Sequence, residues 1–544
     1  MKLQVLWGRS RFFFVYAGLT ILVITNVLFY HSVLHSQAPA GTVYSYTYGH
    51  TGDFYQYVSI IKSGREGHLL YHNQFSEENY PIVPLHPFLH LIGFLSRPFP
   101  LNPFIILFST RIISLTLFFF SVYFIIRNVF TSFTHRVLAA ILFFFSTNFW
   151  TADWTNGKLQ IVNPVLYSDY FSIVAKMFRI PPHHFLAFFC FITVLLLLSR
   201  HRITPLHMFC IFILTVSIGL LQPYVLFLLC IFIGCALLVN VIKYRKISQK
   251  EVIMAVLISI GGIVLLYYIY IIKSVLRGST EGILSWLPLG FPLSLYLQGL
   301  GPLIILAPFS LLFRTYWEKP FVRFLFIWAF LPIGLFLLPV IHIPSQTTRL
   351  FQIYQQLPLA ILATITIGQV SKTLKHPMIL ITLVGIAAFF YGAFPLAVQE
   401  YDDLTSISTN NMVVYTPDYI LQSFSFLQNN TAKKSVVLTG ETISMMIPAF
   451  TDNRVMIGHE GDTHNYPEKL ALENAFFNNT LSEKAVRTFL RDHHISYIIF
   501  GIDAPPYESS SYKNFPEFRK VYSDGIITIV RVDEDSEKNS PLSE

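Results

Sequence analysis

The chain has 544 residues, 53% of them hydrophobic and only 12% charged. Soluble domains carry roughly 25% charged residues, so the composition excludes an ordinary water-soluble globular protein. The net charge of +8 argues no nucleic-acid partner, because the cations gather in short loops between apolar runs, where the positive-inside rule places them.

The first apolar run, residues 12–33, follows Lys2, Arg9 and Arg11. Ala38–Ala40 resembles a signal-peptidase site, but the run is too long for the apolar core of a signal peptide, so an uncleaved anchor is expected. Ten more runs follow at roughly 103–126, 136–152, 184–199, 205–221, 223–242, 251–272, 295–313, 321–341, 356–371 and 377–398. The fold class expected is a polytopic α-helical membrane protein of about eleven transmembrane helices. Arg127, Arg200, Lys243, Arg245, Arg314, Lys319 and Lys372 fall in alternate short loops. That asymmetry predicts a multi-pass protein of the plasma or inner membrane with a cytoplasmic N-terminus. The four cysteines lie inside apolar runs and read as packing residues.

Two outer loops are long, 34–102 and 153–183. The first holds GDFYQYVSIIKSG. Thr51 suits an N-cap, and Asp53 falls in the first turn. Phe54, Tyr57, Val58 and Ile61 share one helical face, and Gly64 ends the run. This predicts an amphipathic helix in the membrane interface. Residues Val83–Leu95 are too short and proline-punctuated for a span and read as interfacial or re-entrant.

From about residue 400 the composition changes. VVLTG and ISYIIFG read as short buried strands. Ser482 caps an amphipathic helix, and Asp524-Gly525 turns a hairpin within 518–532. The domain plan is therefore a transmembrane part, 1–399, an extracytoplasmic α/β domain, 400–532, and a disordered acidic tail, 533–544.

Several polar residues in the outer half carry two readings each. Asp53 either complements a helix dipole or acts as a base or cation ligand in a cavity. Arg111, inside a span, is costly unless it faces a cavity or an anion. His183 and His184 open a span, solvated at the interface or contacting phosphate or metal. Arg349 contacts a headgroup or a substrate. Asp169 is the nearest second acid. Acids, histidines and arginines at one membrane face suit chemistry on a phosphorylated lipid. In GHEGDTHN, His459, Glu460, Asp462 and His464 form either a polar loop or a metal site.

Taken in order, these motifs resemble the GT-C superfamily of polytopic glycosyltransferases, in particular a bacterial group of that type. The resemblance rests on GDFYQYVSIIKSGREGH, Arg111, the PPHHF of 181–185, Gln222-Pro223-Tyr224, Arg349 before PLAILA, and GHEGDTH. The chain departs where relatives carry Pro-Glu before the histidines, leaving Asp169, and where Gln222 replaces a histidine. The resemblance implies transfer of a sugar from a polyprenyl-phosphate donor to a glycan, lipid or protein acceptor outside the cytoplasm. Asp53 would be the base or a metal ligand. Arg111, His183, His184 and Arg349 would bind the phosphate. A divalent cation, Mg or Mn, would lie between Asp53 and Asp169. The competing readings are a lipid or saccharide transporter and a scaffold anchoring the outer domain.

Overall fold

The computed structural model describes residues 2–46, 51–79, 82, 86–146, 149, 151–155, 158–162, 180–200, 202–244, 249–275, 293–336, 354–374 and 377–533. The chain divides into two compact units, each built from segments distant in sequence.

One unit comprises Met1–Leu34, Ser109–Tyr268 and Leu287–Ile407, and its described residues are mainly helical, with one hairpin. Three helices, Ser10–Ser36, Pro103–Val129 and Met378–Thr405, are long and apolar enough to cross a membrane, the second starting in the other unit. Shorter apolar helices stand at each of the remaining positions where the sequence predicts a span. Proline sets several helix starts: Pro182, Pro205, Pro223 and Pro320 are first helical residues, where the missing N–H costs nothing and the fixed φ suits the helix. Aromatic packing knits this unit together. Phe118 lies 5.1 Å from the ring of Tyr354 and 5.9 Å from that of Phe185, and Tyr354 also meets Phe188 edge-on at 4.5 Å. The loop expected after residue 152 begins instead with an antiparallel hairpin, Thr151–Thr155 with Lys158–Val162.

The other unit comprises His35–Phe108, Ile269–Trp286 and Ser408–Glu544. Its elements are β1 (Thr42–Tyr44), α1 (Thr51–Glu66), α2 (Pro87–Leu95), β2 (Tyr415–Pro417), α3 (Asp418–Asn430), β3 (Val436–Leu438), α4 (Glu441–Phe450), β4 (Arg454–Val455), α5 (Tyr466–Phe477), α6 (Glu483–Asp492), β5 (Ile495–Phe500), β6 (Phe518–Ser523) and β7 (Thr528–Val532). Five strands form one sheet in the order β4-β3-β5-β7-β6. β3 runs parallel to β4 and β5, and the β6–β7 hairpin closes the far edge antiparallel. The parallel strands are near-continuous apolar runs because both faces are covered. Leu438, Ile498, Val530, Phe476 and Phe489 meet in its core. α6 places Val486, Phe489 and Leu490 inward, and the Ser482 hydroxyl accepts a hydrogen bond from the Ala485 amide as its cap.

β1 pairs antiparallel with β2, so residues 35–108 are part of this unit. α1 departs from its expected setting. Phe54, Tyr57, Val58 and Ile61 are buried, but so are Tyr55 and Ile60 on another side, and the helix packs against α2 and α4. It is an internal helix of the unit, covered on more than one side. Nor does Gly64 end it. A Cβ on Gly64 would overlap the carbonyl of His90, and one on Gly93 would overlap that of Ile61. The two glycines let α1 and α2 cross backbone to backbone, and Gly67, with φ +104°, follows the helix end.

Candidate active site

Asp53 stands in the first turn of α1, with its side chain 43% exposed. Gly52 beside it leaves room for this approach: a Cβ there would lie 3.1 Å from the Met445 sulfur and 3.4 Å from the His459 ring. The other half of the site follows β4. A parallel strand delivers its chain to the carboxyl edge of the sheet, where α/β folds bind ligands. Here the chain turns tightly: the amides of Asp462 and Thr463 donate to the His459 carbonyl at 2.9 and 3.0 Å. The Thr463 hydroxyl accepts from the Gly458 amide at 3.0 Å and donates to the Phe75 carbonyl at 2.6 Å.

This turn brings His459 to Asp53. The ring Nε2 lies 2.9 Å from Asp53 Oδ1, and Nδ1 lies 3.6 Å from Asp462 Oδ2, within ion-pair range but beyond a normal hydrogen bond. Asp462 is buried at 4% exposure and held by donors from the 35–108 segment. Tyr71 donates to its Oδ2 at 2.9 Å, as does the Gln56 amide, and Asn73 donates to its backbone carbonyl at 2.7 Å. Burial disfavours charge on the His459 ring, but hydrogen bonding and charge from Asp462 and Asp53 outweigh it and raise the ring to about 10. The ring is therefore an imidazolium at neutral pH, flanked by two carboxylates. His86 lies within electrostatic reach of all three, and burial lowers its own proton affinity.

The arrangement presents an exposed carboxylate fixed by a charged ring, which is itself fixed by a buried, hydrogen-bonded acid. Such a carboxylate can accept a hydroxyl proton or contribute to a cation site. Of the residues expected from sequence, this unit supplies Asp53. Arg111, His183 and His184 belong to the helical unit, where all three are buried. The two histidine rings lie 4.5 Å apart, and the Gln222 amide nitrogen comes within 3.1 Å of His184 Nε2. Gln222, standing where relatives carry histidine, thus contacts the histidine pair. Arg111 is within electrostatic reach of His31. Asp169 and Arg349 lie outside the described residues.

Among the described residues no group of three ligating side chains is placed to hold a metal. In GHEGDTHN, His459 is committed to Asp53 and Asp462 to Gln56 and Tyr71. In sequence these residues read as a polar loop or a metal site, with no link to Asp53. The available signal was a Gly-His pair at the end of a strand.

The fold that carries this site, apolar helices together with a further compact unit, is shared with a solved membrane protein. The oligosaccharyltransferase of Archaeoglobus fulgidus in its apo form superposes with a TM-score of 0.52 at 12% identity, over 89% of this chain and 69% of that one. A fainter likeness, TM-score 0.44 at 12% identity, covers 94% of this chain and 98% of ArnT from Cupriavidus metallidurans, solved with undecaprenyl phosphate bound. At such identities the likeness is one of fold. No protein-family profile matches the sequence, and no curated protein matches it.

Proposed function

We propose that the protein is a membrane glycosyltransferase that moves a sugar from a polyprenyl-phosphate donor to an extracytoplasmic glycan, lipid or protein acceptor. One observation carries the reading: an exposed acid, Asp53, is bonded at 2.9 Å to a histidine raised to about 10, on a fold shared with an oligosaccharyltransferase. In the proposed step the acceptor oxygen attacks the anomeric carbon and the bond from that carbon to the phosphate oxygen breaks. The acceptor proton passes to Asp53, and the polyprenyl phosphate leaves with the electron pair. Arg111, His183, His184 and Arg349 are the candidates for holding the departing phosphate, since cationic donors aimed at developing charge lower such barriers. A divalent cation, Mg or Mn, held by Asp53 with Asp169 would supply Lewis acidity in the same place.

The reading extends to topology. All eleven apolar helices cross the membrane, placing the N-terminus in the cytoplasm and both Asp53 and His459 outside, away from nucleotide sugars. Residues 400–532 then form an extracytoplasmic α/β domain that caps the site or selects the acceptor, followed by an acidic tail.

The test is transfer in membranes supplied with labelled polyprenyl-phosphate sugars, comparing wild type with Asp53→Asn. Loss of a general base costs about 10²–10⁴-fold, which is the drop expected. Full transfer by the variant would remove Asp53 from the chemistry. No transfer from any lipid donor by the wild type would favour a transporter.

A further inference from the structure

The helix α2 has the sequence PFLHLIGFL, apolar nearly all the way round. A helix of that kind needs cover on every side. One side has it: Leu89, His90 and Gly93 are buried, and the backbone crossing with Gly64 of α1 fills that face. Leu91, Phe94 and Leu95 lie on the other side and are exposed, Leu95 to 60%. The chain then leaves α2 through Arg97 into a stretch where Phe99 and Leu101 are exposed too. Leu69 and Leu70, just past the end of α1, are exposed as well.

Hydrogen bonds tie these three stretches into one surface. The Arg65 guanidinium donates to the carbonyl of Phe99 at 3.1 Å and to that of Leu101. Arg97 Nε donates to the Arg65 carbonyl at 2.6 Å, and its guanidinium carbon lies 5.4 Å from the centre of the Phe94 ring. His90 Nδ1 donates to the His68 carbonyl at 3.0 Å, which holds Leu69 and Leu70 beside α2. Neither 67–70 nor 91–102 contains an acidic residue. Glu66, next to Arg65, faces Lys62 at 3.4 Å. Among the described residues, then, no carboxylate pairs with Arg65 or Arg97, and both charges face outward over an apolar surface.

Continuity of the chain says what covers that surface. Leu101 stands two residues before Pro103, where the helix Pro103–Val129 begins, and that helix is long and apolar enough to cross a membrane. Two residues reach at most about 7 Å, so Leu101 lies at the membrane face wherever the helix enters the bilayer. An apolar face with arginines beside it suits the boundary between headgroups and acyl chains: the leucines and phenylalanines enter the acyl boundary, and the guanidinium groups meet lipid phosphates.

We propose that the face made by Leu91, Phe94, Leu95, Phe99 and Leu101 rests in the bilayer interface, with Arg65 and Arg97 against anionic lipid headgroups. Through the Gly64–Gly93 crossing, the same seat holds α1, whose first turn carries Asp53, at a set height over the lipid surface. The contact exists whether or not the protein transfers a sugar.

The test uses the full chain in phosphatidylcholine vesicles with and without phosphatidylglycerol. A bimane fluorophore is attached at Leu95→Cys or at Phe99→Cys, with Lys484→Cys, exposed on α6, as the control and the wild type as the background from its own cysteines. All three substitutions are at exposed positions, and matching unfolding temperatures check that each variant folds. Emission at Leu95 and Phe99 should be blue-shifted. It should be quenched several-fold more than at Lys484 by lipids carrying a nitroxide near the headgroup, and more than by lipids carrying one at the bilayer centre. Phosphatidylglycerol should strengthen that quenching, and high salt should remove the increase. Quenching at Leu95 and Phe99 no greater than at Lys484 would overturn the proposal. Stronger quenching from the bilayer centre would make the segment re-entrant and overturn it too. Disulfide cross-linking of two copies through Leu95→Cys, without lipid quenching, would assign the face to a second copy instead. Indifference to phosphatidylglycerol would overturn the contact between the arginines and the headgroups.

Discussion

Asp53, read alone, is an ordinary first-turn acid, and its partner gives it a distinct character. His459 carries a positive charge because Asp462 and Asp53 face its two ring nitrogens. Asp462 is thus a positioning residue: it reaches Asp53 only through the ring. Asp462→Asn should lower the ring's proton affinity, so the alkaline limb of the transfer–pH profile moves to lower pH. An unchanged limb would show that Asp462 only supports the loop. The sign of the stability effect follows from the same shift. A ring held near 10, against an ordinary value of about 6.5, stabilises the fold fully below that ordinary value and loses its contribution as pH rises through 10. The stability gap between wild type and His459→Gln should therefore be widest below about pH 6.5 and close toward pH 10, followed by thermal unfolding. Glu473, whose proton affinity is raised by burial, acts in the same sense, losing stability as pH rises, but over a window that starts lower. Its proton is retained to about 9, so the folded state is penalised progressively above the usual carboxylate range. Glu473→Gln should raise the unfolding temperature at pH 8–9 and change it little near pH 4. The place of Asp53 in a first helical turn was legible in sequence. Its contact with His459 was not, because the two residues lie 406 positions apart.

At the level of elements, sequence pattern served best where the signal is local. The apolar runs VVL and ISYIIF are strands, Asp524-Gly525 turns the β6–β7 hairpin, and Ser482 caps α6. Pattern failed where distant segments decide. α1 has the periodicity of an interfacial helix, yet its polar-looking sides are covered by α2 and α4, and β1 finds its partner strand beyond residue 414. Gly64 was read as a stop because glycine is a poor helix former. Its role is steric and belongs to the crossing with Gly93. Gly64→Ala should therefore destabilise the protein by about 1–3 kcal/mol, the usual result of overpacking. Gly18→Ala, where a Cβ meets nothing within 4 Å, should be neutral or slightly favourable. Similar losses from both substitutions would argue against the crossing as the cause.

For the whole molecule, the apolar runs were legible and their lengths less so. Every expected span overlaps an apolar helix, and among the described residues three helices are both long and apolar enough to cross a membrane. Crossing by all eleven predicts an active alkaline phosphatase fusion after Ser408 and an inactive one after Arg127. An inactive fusion at Ser408 would mean an even number of crossings.

The pairing of residues 35–108 with 408–544 in one compact unit also has a meaning in time. A ribosome releases Asp53 early, but the turn that carries His459 emerges only after the whole run of apolar helices has been synthesised. The Asp53–His459 pair cannot form before that turn is made. A chain that ends ahead of His459, however well inserted, lacks the pair, so synthesis itself acts as a checkpoint: the site is completed only once the apolar helices before it have been made.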